Sequence, residues 1–185
     1  MALSVMPLDP VLGHALAGAT ALVLLVGAAQ KVRDWPGFRS ALGAYRLLPE
    51  VLVTPAALAL PAFETIAGFA LFAPAYRSAG ALLALALLAA VTGAVAINLA
   101  RGRTDIDCGC GGAEGRQRLS WGLVARNAML MAALVVGAQP TGPRPLGIFD
   151  FATLTFATLA LYGLYACASQ LLANRPRLVD LRNHA

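Results

Sequence analysis

The sequence predicts an all-α, multi-pass membrane protein with a four-helix transmembrane bundle, a fifth C-terminal span and a short interfacial amphipathic helix. Two observations carry this prediction. The chain has 185 residues, of which 59% are hydrophobic and only 12% are charged, whereas soluble domains carry about 25% charged residues. The mean hydropathy is +0.72, and the apolar residues form long blocks near the roughly 20 residues that a helix needs to cross a bilayer.

Five such blocks divide the chain. The predicted spans cover about 11–29, 51–73, 79–99, 121–138 and 148–172. The first four belong to a predicted transmembrane domain over residues 1–140, and residues 141–185 hold the fifth span and a polar tail. Between spans one and two, apolar residues recur at helical spacing, which predicts an amphipathic helix at about 36–48. Trp35 and Tyr45 are its predicted interfacial anchors.

The positive charge indicates a membrane partner. The net charge is +5, but no groove-reading module is visible, so we expect contacts with lipid and none with nucleic acid. The N-terminus lacks the basic segment of a secretory signal, so the first span is expected to remain as a transmembrane helix.

Lys and Arg are distributed unevenly among the predicted loops. If the five predicted spans cross the membrane in alternating directions, 11 of the 14 Lys and Arg residues fall in segments on the same side. By the positive-inside rule, this predicts an inner-membrane protein with a periplasmic N-terminus and a cytoplasmic C-terminus. The same rule places the loop that holds Cys108 and Cys110 in the cytoplasm. The eleven are Lys31, Arg33, Arg39, Arg46, Arg101, Arg103, Arg116, Arg118, Arg175, Arg177 and Arg182.

The segment 101–112, R-G-R-T-D-I-D-C-G-C-G-G, concentrates the reactive chemistry of the chain. Cys108 and Cys110 are the candidate catalytic residues, as a dithiol/disulfide pair. Their disulfide requires a turn, which Gly109 permits, and so small a ring is strained and exchangeable. Two other interpretations stay open: a metal site, although a C-x-C supplies only two ligands, and a structural turn with inert thiols. We predict no metal.

Several polar residues are predicted at the same membrane face as this pair. Arginines near a cysteine favour its thiolate, whereas aspartates oppose it. An alternative interpretation of Cys167 is that it is a small core residue. An alternative interpretation of Arg126 is that it is an anchor whose side chain extends to the interface. The candidate supporting residues are Cys167, Asp107, Arg101, Arg103, Asn98, Arg126 and Asn127.

Two ionisable residues lie within predicted spans. Glu64 is near the middle of span two, where a charge is costly, so it is expected to face the bundle either protonated or paired. It is a candidate for proton handling or for a structural interhelical hydrogen bond. His14, near the outer end of span one, is expected at the interface. A pair of His14 with Glu64 would be a proton-handling candidate.

Three segments carry a family resemblance. They read K-V-R-D-W-P-G-F-R-S-A-L-G-A-Y-R-L-L-P, A-I-N-L-A-R-G-R-T-D-I-D-C-G-C-G-G and L-S-W-G-L-V-A-R-N. Over about residues 10–140 the chain resembles the methylamine utilisation protein MauE family, which is related to DoxX-like membrane proteins. Family members often carry an aromatic residue after the C-G-C, where this chain has Gly111 and Gly112.

The resemblance implies an inner-membrane thiol-redox factor. Its expected role is to support disulfide formation, processing or assembly of the periplasmic methylamine dehydrogenase small subunit, which carries a tryptophylquinone. The implied partners are that subunit and a MauD-like thioredoxin-fold protein. No cofactor is firmly implied, although a membrane quinone is compatible, and whether the chain is an enzyme stays open. The alternative is a non-catalytic scaffold or transport component for the same subunit, with Glu64 lining a path.

Overall fold

The protein is an all-α, multi-pass membrane protein. The computed structural model describes residues 8–109, 117–139, 142 and 144–183, with side chains described up to residue 174. In these ranges the chain forms six α-helices and a short 3₁₀ turn at Pro74–Tyr76. The helices are α1 (Pro10–Arg33), α2 (Trp35–Ala44), α3 (Glu50–Phe72), α4 (Arg77–Ala100), α5 (Trp121–Gly137) and α6 (Ile148–Asn183).

Local signals set the start of the first two helices. Asp9 caps α1, since its carboxylate accepts a hydrogen bond from the Val11 amide at 2.8 Å, and Pro10 occupies the first turn. Asp34 ends α1 and caps α2 by accepting from the Gly37 amide at 3.2 Å. Consequently α2 follows α1 directly, without an intervening loop.

The apolar helices match most of the predicted spans. Helices α1, α3 and α6, and α4 together with the preceding 3₁₀ turn, are long and apolar enough to cross a membrane. Helix α5 is apolar but has only 17 residues, or about 25 Å at 1.5 Å per residue, which is near the lower limit for a span. Its crossing therefore stays a prediction.

Two expectations about helix boundaries are wrong. The predicted interfacial helix reached residue 48, but α2 ends at Ala44. Tyr45 is not an interfacial anchor, because only 6% of its surface is exposed. The predicted polar tail is not separate from span five, since α6 continues without a break to Asn183. With 36 residues, α6 is about 54 Å long, well beyond the thickness of the hydrocarbon core.

Small residues let the helices approach closely around α1. A Cβ added at Gly68 of α3 would lie 2.7 Å from Leu25, and one at Gly137 of α5 would lie 3.2 Å from the carbonyl oxygen of Gly13. Such close approach is the usual way that helices pack in lipid, where burying apolar surface gives little driving force. The core between α1, α3, α4 and α5 comprises Ala17, Ala21, Leu24, Ala67, Leu71, Ala81, Ala84 and Leu134.

The bundle has two distinct polar ends. At the first, Arg144 pairs with Asp150 at 2.8 Å and with Asp9 at 3.7 Å, which joins the start of α6 to the start of α1. We call the other end the cysteine end. It holds α2, the close of α4 and the start of α5, together with the described parts of the loop 101–120. Which face of the membrane each end occupies stays a prediction.

Candidate functional site

The loop between α4 and α5 folds back on itself as a short antiparallel ribbon. The Cys108 amide donates to the Gln117 carbonyl oxygen at 2.8 Å, and the Leu119 amide donates to that of Ile106 at 3.1 Å. Asp107 and Arg118 form the bridge between them. Residues 110–116, which include the predicted site residue Cys110, lie outside the described residues.

Cys108 is buried at the cysteine end of the bundle. Only 7% of it is exposed, and it packs in a cluster with side chains of α4 and α5 that include Val95 and Leu123. Cys108 is disulfide-bonded. Cys167 is a free, exposed cysteine on α6, so it is not the partner of Cys108. The described part of the loop therefore lies against the bundle, with Cys108 engaged in a disulfide.

Gly109 shapes the turn that follows Cys108. Its φ is +71°, a left-handed conformation that favours glycine, and its amide donates to the Asp107 carboxylate at 2.9 Å. A Cβ at this position would lie 3.2 Å from the Phe38 ring and 3.3 Å from the Ala41 methyl group. Helix α2 thus lies directly on the Cys108–Gly109 peptide, and a side chain at residue 109 would push it away.

Tyr45, just after α2, covers Cys108 from the same side. Its hydroxyl donates to the Cys108 carbonyl oxygen at 3.3 Å. Burial raises the pKa of Tyr45 well above its usual value, and the nearby Asp107 carboxylate raises it further. Tyr45 therefore remains a neutral donor over the whole physiological range.

Arg103 ties the end of α2 to the loop. Its guanidinium donates to the carbonyl oxygens of Ala44 at 2.8 Å and Tyr45 at 3.1 Å, and to the Asn98 side chain at 3.0 Å. Carbonyl groups at the C-terminus of a helix lack intrahelical partners, so a cation there is favourable. Asn98 is fully buried and fixes Arg103 from α4. We call Arg103, Tyr45 and Phe38 the clamp, because together they hold α2 on the cysteine loop.

Arg126 lies one turn beyond Leu123 on α5 and belongs to a second polar network. It is only 8% exposed, so neighbouring side chains enclose it, and its role as an interfacial anchor stays a prediction. It donates to the side-chain amide oxygen of Asn127 and, at 3.2 Å, to the Ser169 hydroxyl of α6, and it lies 5.1 Å from the centre of the Tyr165 ring. Asn127 in turn donates to Thr92 of α4 at 3.1 Å.

Glu64 forms a buried ion pair. Both of its carboxylate oxygens lie 2.8 Å from the Lys31 ammonium, and the two side chains are 9% and 10% exposed. The Lys31 ammonium also lies 5.7 Å from the centre of the Phe38 ring, so the pair contacts the clamp. The sequence places Lys31 only among the charges of the predicted cytoplasmic segments. The prediction that Glu64 is protonated or paired does not name its partner, because the partner depends on how α1 and α3 pack.

The remaining candidates lie apart from this cluster. His14 is not paired with Glu64: its Nδ1 atom lies 2.6 Å from the Pro10 carbonyl oxygen and 3.4 Å from Arg77, at the opposite end of the bundle. Arg101 is exposed, as is Cys167. Within the described part of the chain, no three His, Cys, Asp or Glu residues are grouped as metal ligands would be.

These features define a class: a multi-pass α-helical membrane protein with a disulfide-bonded cysteine loop clamped to one end of its bundle. Residues 9–139 match the profile of the family described as Methylamine utilisation protein MauE. This match covers well over half of the chain, and the chain belongs to that family. Helix α6 lies outside the matched range.

Named relatives agree with this assignment. The chain is 38% identical over 130 residues to Methylamine utilization protein MauE of Paracoccus versutus, which covers 70% of this chain and 69% of the relative. Proteins of the same name from Methylophilus methylotrophus and Paracoccus denitrificans are 40% and 36% identical, over 55% and 68% of this chain and 54% and 67% of their own lengths. No solved structure matches the chain.

Proposed function

We propose that this protein acts in methylamine utilisation as an inner-membrane thiol–disulfide exchange factor. Its client in this proposal is the small, tryptophylquinone-bearing subunit of methylamine dehydrogenase. The names of its relatives support the metabolic role. The observation that carries the chemistry is that Cys108 is disulfide-bonded within a clamped loop. We assign its partner as Cys110, two residues away.

The exchange proceeds by two successive thiolate attacks. A thiolate of a reduced thioredoxin-fold partner attacks the sulfur of Cys110, which is the target because Cys108 is buried beneath Tyr45. The Cys108–Cys110 bond breaks, Cys108 leaves as a thiolate, and a mixed disulfide joins Cys110 to the partner. The second partner thiol then resolves this bond. Two electrons and two protons have moved to Cys108 and Cys110, and the partner leaves as a disulfide that oxidises the client.

A second oxidant must regenerate the pair. In this proposal a membrane quinone accepts two electrons and two protons from the Cys108–Cys110 dithiol and becomes a quinol, so the disulfide re-forms. What supports this cycle is that the clamp holds Cys108 through its backbone carbonyl oxygen, a contact that does not involve the sulfur atom.

Thiol trapping in membranes tests the proposal. The double substitution Cys108→Ser, Cys110→Ser is expected to abolish maturation of the dehydrogenase, while its small subunit accumulates with free thiols. Cys167→Ser is the matched control, because that thiol is free and exposed, and it is expected to mature the enzyme normally. Normal maturation in the double variant would overturn the thiol-redox proposal.

Topology requires a separate measurement. The charge distribution predicts that the cysteine loop is cytoplasmic, whereas the proposed client is periplasmic. Reporter enzymes fused after residue 112 and after residue 185 distinguish two routes. A periplasmic signal at residue 112 places the loop beside the client and contradicts the charge-based orientation. A cytoplasmic signal means that the electrons must cross the membrane as quinol or through partner thiols.

The alternative function is a non-catalytic scaffold for the same subunit. In this alternative the subunit would bind α6, whose exposed apolar side chains include Phe149, Phe156 and Leu164. A transport path along Glu64 has less support, because that carboxylate is buried and paired with Lys31. Normal maturation in the double cysteine variant, together with loss of maturation on deleting α6, would establish the scaffold.

A further inference from the structure

Arg126 is a buried cation whose charge is not balanced within the described part of the chain. It is 8% exposed, yet all its side-chain hydrogen bonds go to neutral groups, Asn127 and Ser169. None of the ion pairs among the described residues includes it. A guanidinium has five N–H donors, and these contacts use three. A buried charge without a counter-ion is unfavourable, so the arrangement lacks an anion.

Two apolar grooves meet at this guanidinium. One is a cavity of ≈ 220 Å³ between α1, α5 and α6, lined by side chains such as Leu16, Met129 and Leu161. Its volume is far larger than the roughly 10–15 Å³ that a single water needs, and most of the side chains that line it are apolar. The other runs between α5 and α6 past Gly122 and Leu172, toward the start of α5. The two grooves form an apolar channel with one cation along it.

The depth of Arg126 fits the head group of a lipid. Trp121, at the start of α5, is 62% exposed and is typical of a residue at the membrane interface. Arg126 lies five residues further along the helix, about 7.5 Å deeper. A phosphate just below the interface would reach the guanidinium, while an acyl chain extended into the cavity toward the bilayer centre.

We propose that this channel is a binding site for an anionic phospholipid, with its phosphate on Arg126 and an acyl chain between α1, α5 and α6. A phosphate accepts the free donors of the guanidinium and neutralises its charge. A quinone head is neutral, so it would leave the charge unbalanced. Free inorganic phosphate would leave the apolar walls uncovered. This proposal is independent of the chemistry at Cys108.

Lipid retention measured by native mass spectrometry tests the site. The full chain is purified in detergent and offered phosphatidylglycerol, phosphatidylcholine or inorganic phosphate at equal concentration. We expect one phosphatidylglycerol per chain, held at least tenfold more tightly than phosphatidylcholine, and no competition from inorganic phosphate. Arg126→Gln is expected to lose at least tenfold in affinity for phosphatidylglycerol. The control Arg118→Gln removes an exposed arginine at the same end and is expected to bind as the parent does.

A pair of groove variants keeps the test independent of the stability of Arg126→Gln. Ala133→Phe fills the cavity that Ala133 lines, and it is expected to reduce phosphatidylglycerol binding at least tenfold. Ala132→Phe, at the exposed neighbouring position, is expected to bind normally. Equal retention of the two lipids by the parent, unchanged binding in Ala133→Phe, or preferential retention of a neutral quinone would each overturn the proposal.

Discussion

Two contacts between helices handle a buried cation in opposite ways. Between α1 and α3, Lys31 is neutralised by both oxygens of Glu64. Between α5 and α6, Arg126 has only neutral partners and borders an open cavity. The charge of Lys31 is therefore neutralised within the protein, whereas the charge of Arg126 requires an anionic ligand.

The difference assigns different tasks to the two sides of the bundle. The α1–α3 side carries the clamp, since Lys31 contacts Phe38, which in turn covers Gly109. A closed, neutral ion pair there gives the cysteine loop a rigid base. The α5–α6 side leaves a cation and apolar walls available to the membrane. Four substitutions test this comparison, from the largest expected effect to the smallest.

Glu64→Gln is expected to be the most damaging of the four. It leaves the Lys31 ammonium buried without a counter-ion, which costs about 3–5 kcal/mol and corresponds to a fall in Tm of roughly 6–20 °C for a chain of this size. Thermal unfolding in a fixed detergent measures it. The double variant Lys31→Met, Glu64→Leu should recover most of the loss. A double variant as unstable as Glu64→Gln would show that the pair is not the cause.

Arg103→Gln is expected to release the end of α2 from the cysteine loop. It removes hydrogen bonds from a charged donor to two carbonyl oxygens and to Asn98, at a cost of about 2–3 kcal/mol. Hydrogen exchange at the amides of Cys108 and Leu119 should accelerate by roughly 30- to 150-fold. Arg118→Gln is the control, because its ion pair with Asp105 is exposed and contributes little. Unchanged exchange in Arg103→Gln would refute the clamp.

Tyr45→Phe is expected to cost about 1 kcal/mol at neutral pH, because it removes the hydrogen bond to the Cys108 carbonyl oxygen. The effect depends on pH. Since the pKa of Tyr45 is raised in the folded protein, its contribution is complete below about pH 10, the usual tyrosine value, and is lost as the pH rises further. Melting curves between pH 8 and pH 11 should therefore show a smaller alkaline loss in Tyr45→Phe than in the parent. Parallel losses would place Tyr45 outside the buried cluster.

Arg126→Gln is expected to have the smallest effect on stability in detergent without anionic lipid, below about 1 kcal/mol in either direction. The hydrogen bonds that it loses are offset by removal of an uncompensated buried charge. The same thermal unfolding measurement as for Glu64→Gln gives a direct comparison. A loss as large as that of Glu64→Gln would mean that Arg126 has a counter-ion within the protein, and the two contacts would no longer differ.

Much of the fold was predictable because the signals are local. An apolar block long enough to cross a bilayer must satisfy its backbone within a helix, so the spans follow from composition along the chain. The helix starts at Asp9 and Asp34 likewise depend on neighbouring residues. The end of α6 lies beyond the predicted end of span five, because hydropathy marks where the apolar block stops and not where the helix ends.

The candidate site was predicted less completely, because its contacts join distant residues. The importance of Cys108 followed from the segment 101–112, but the clamp did not, since Tyr45 and Cys108 are 63 residues apart. Tyr45 was predicted as an interfacial anchor, because nothing local shows that the loop folds over it. The Lys31–Glu64 pair spans 33 residues and depends on how α1 and α3 pack.

By itself, then, the sequence determined the class of protein, the approximate spans and the segment that holds the reactive cysteines. Hydropathy and residue type act over one helix or one turn, so they can be read along the chain. Only the tertiary structure decided which cation is paired with an acid and which is left to a ligand, and that α2 packs on Gly109 while Tyr45 covers Cys108. These outcomes depend on distances between helices, and small residues such as Gly68 and Gly109 set those distances without specifying the partner.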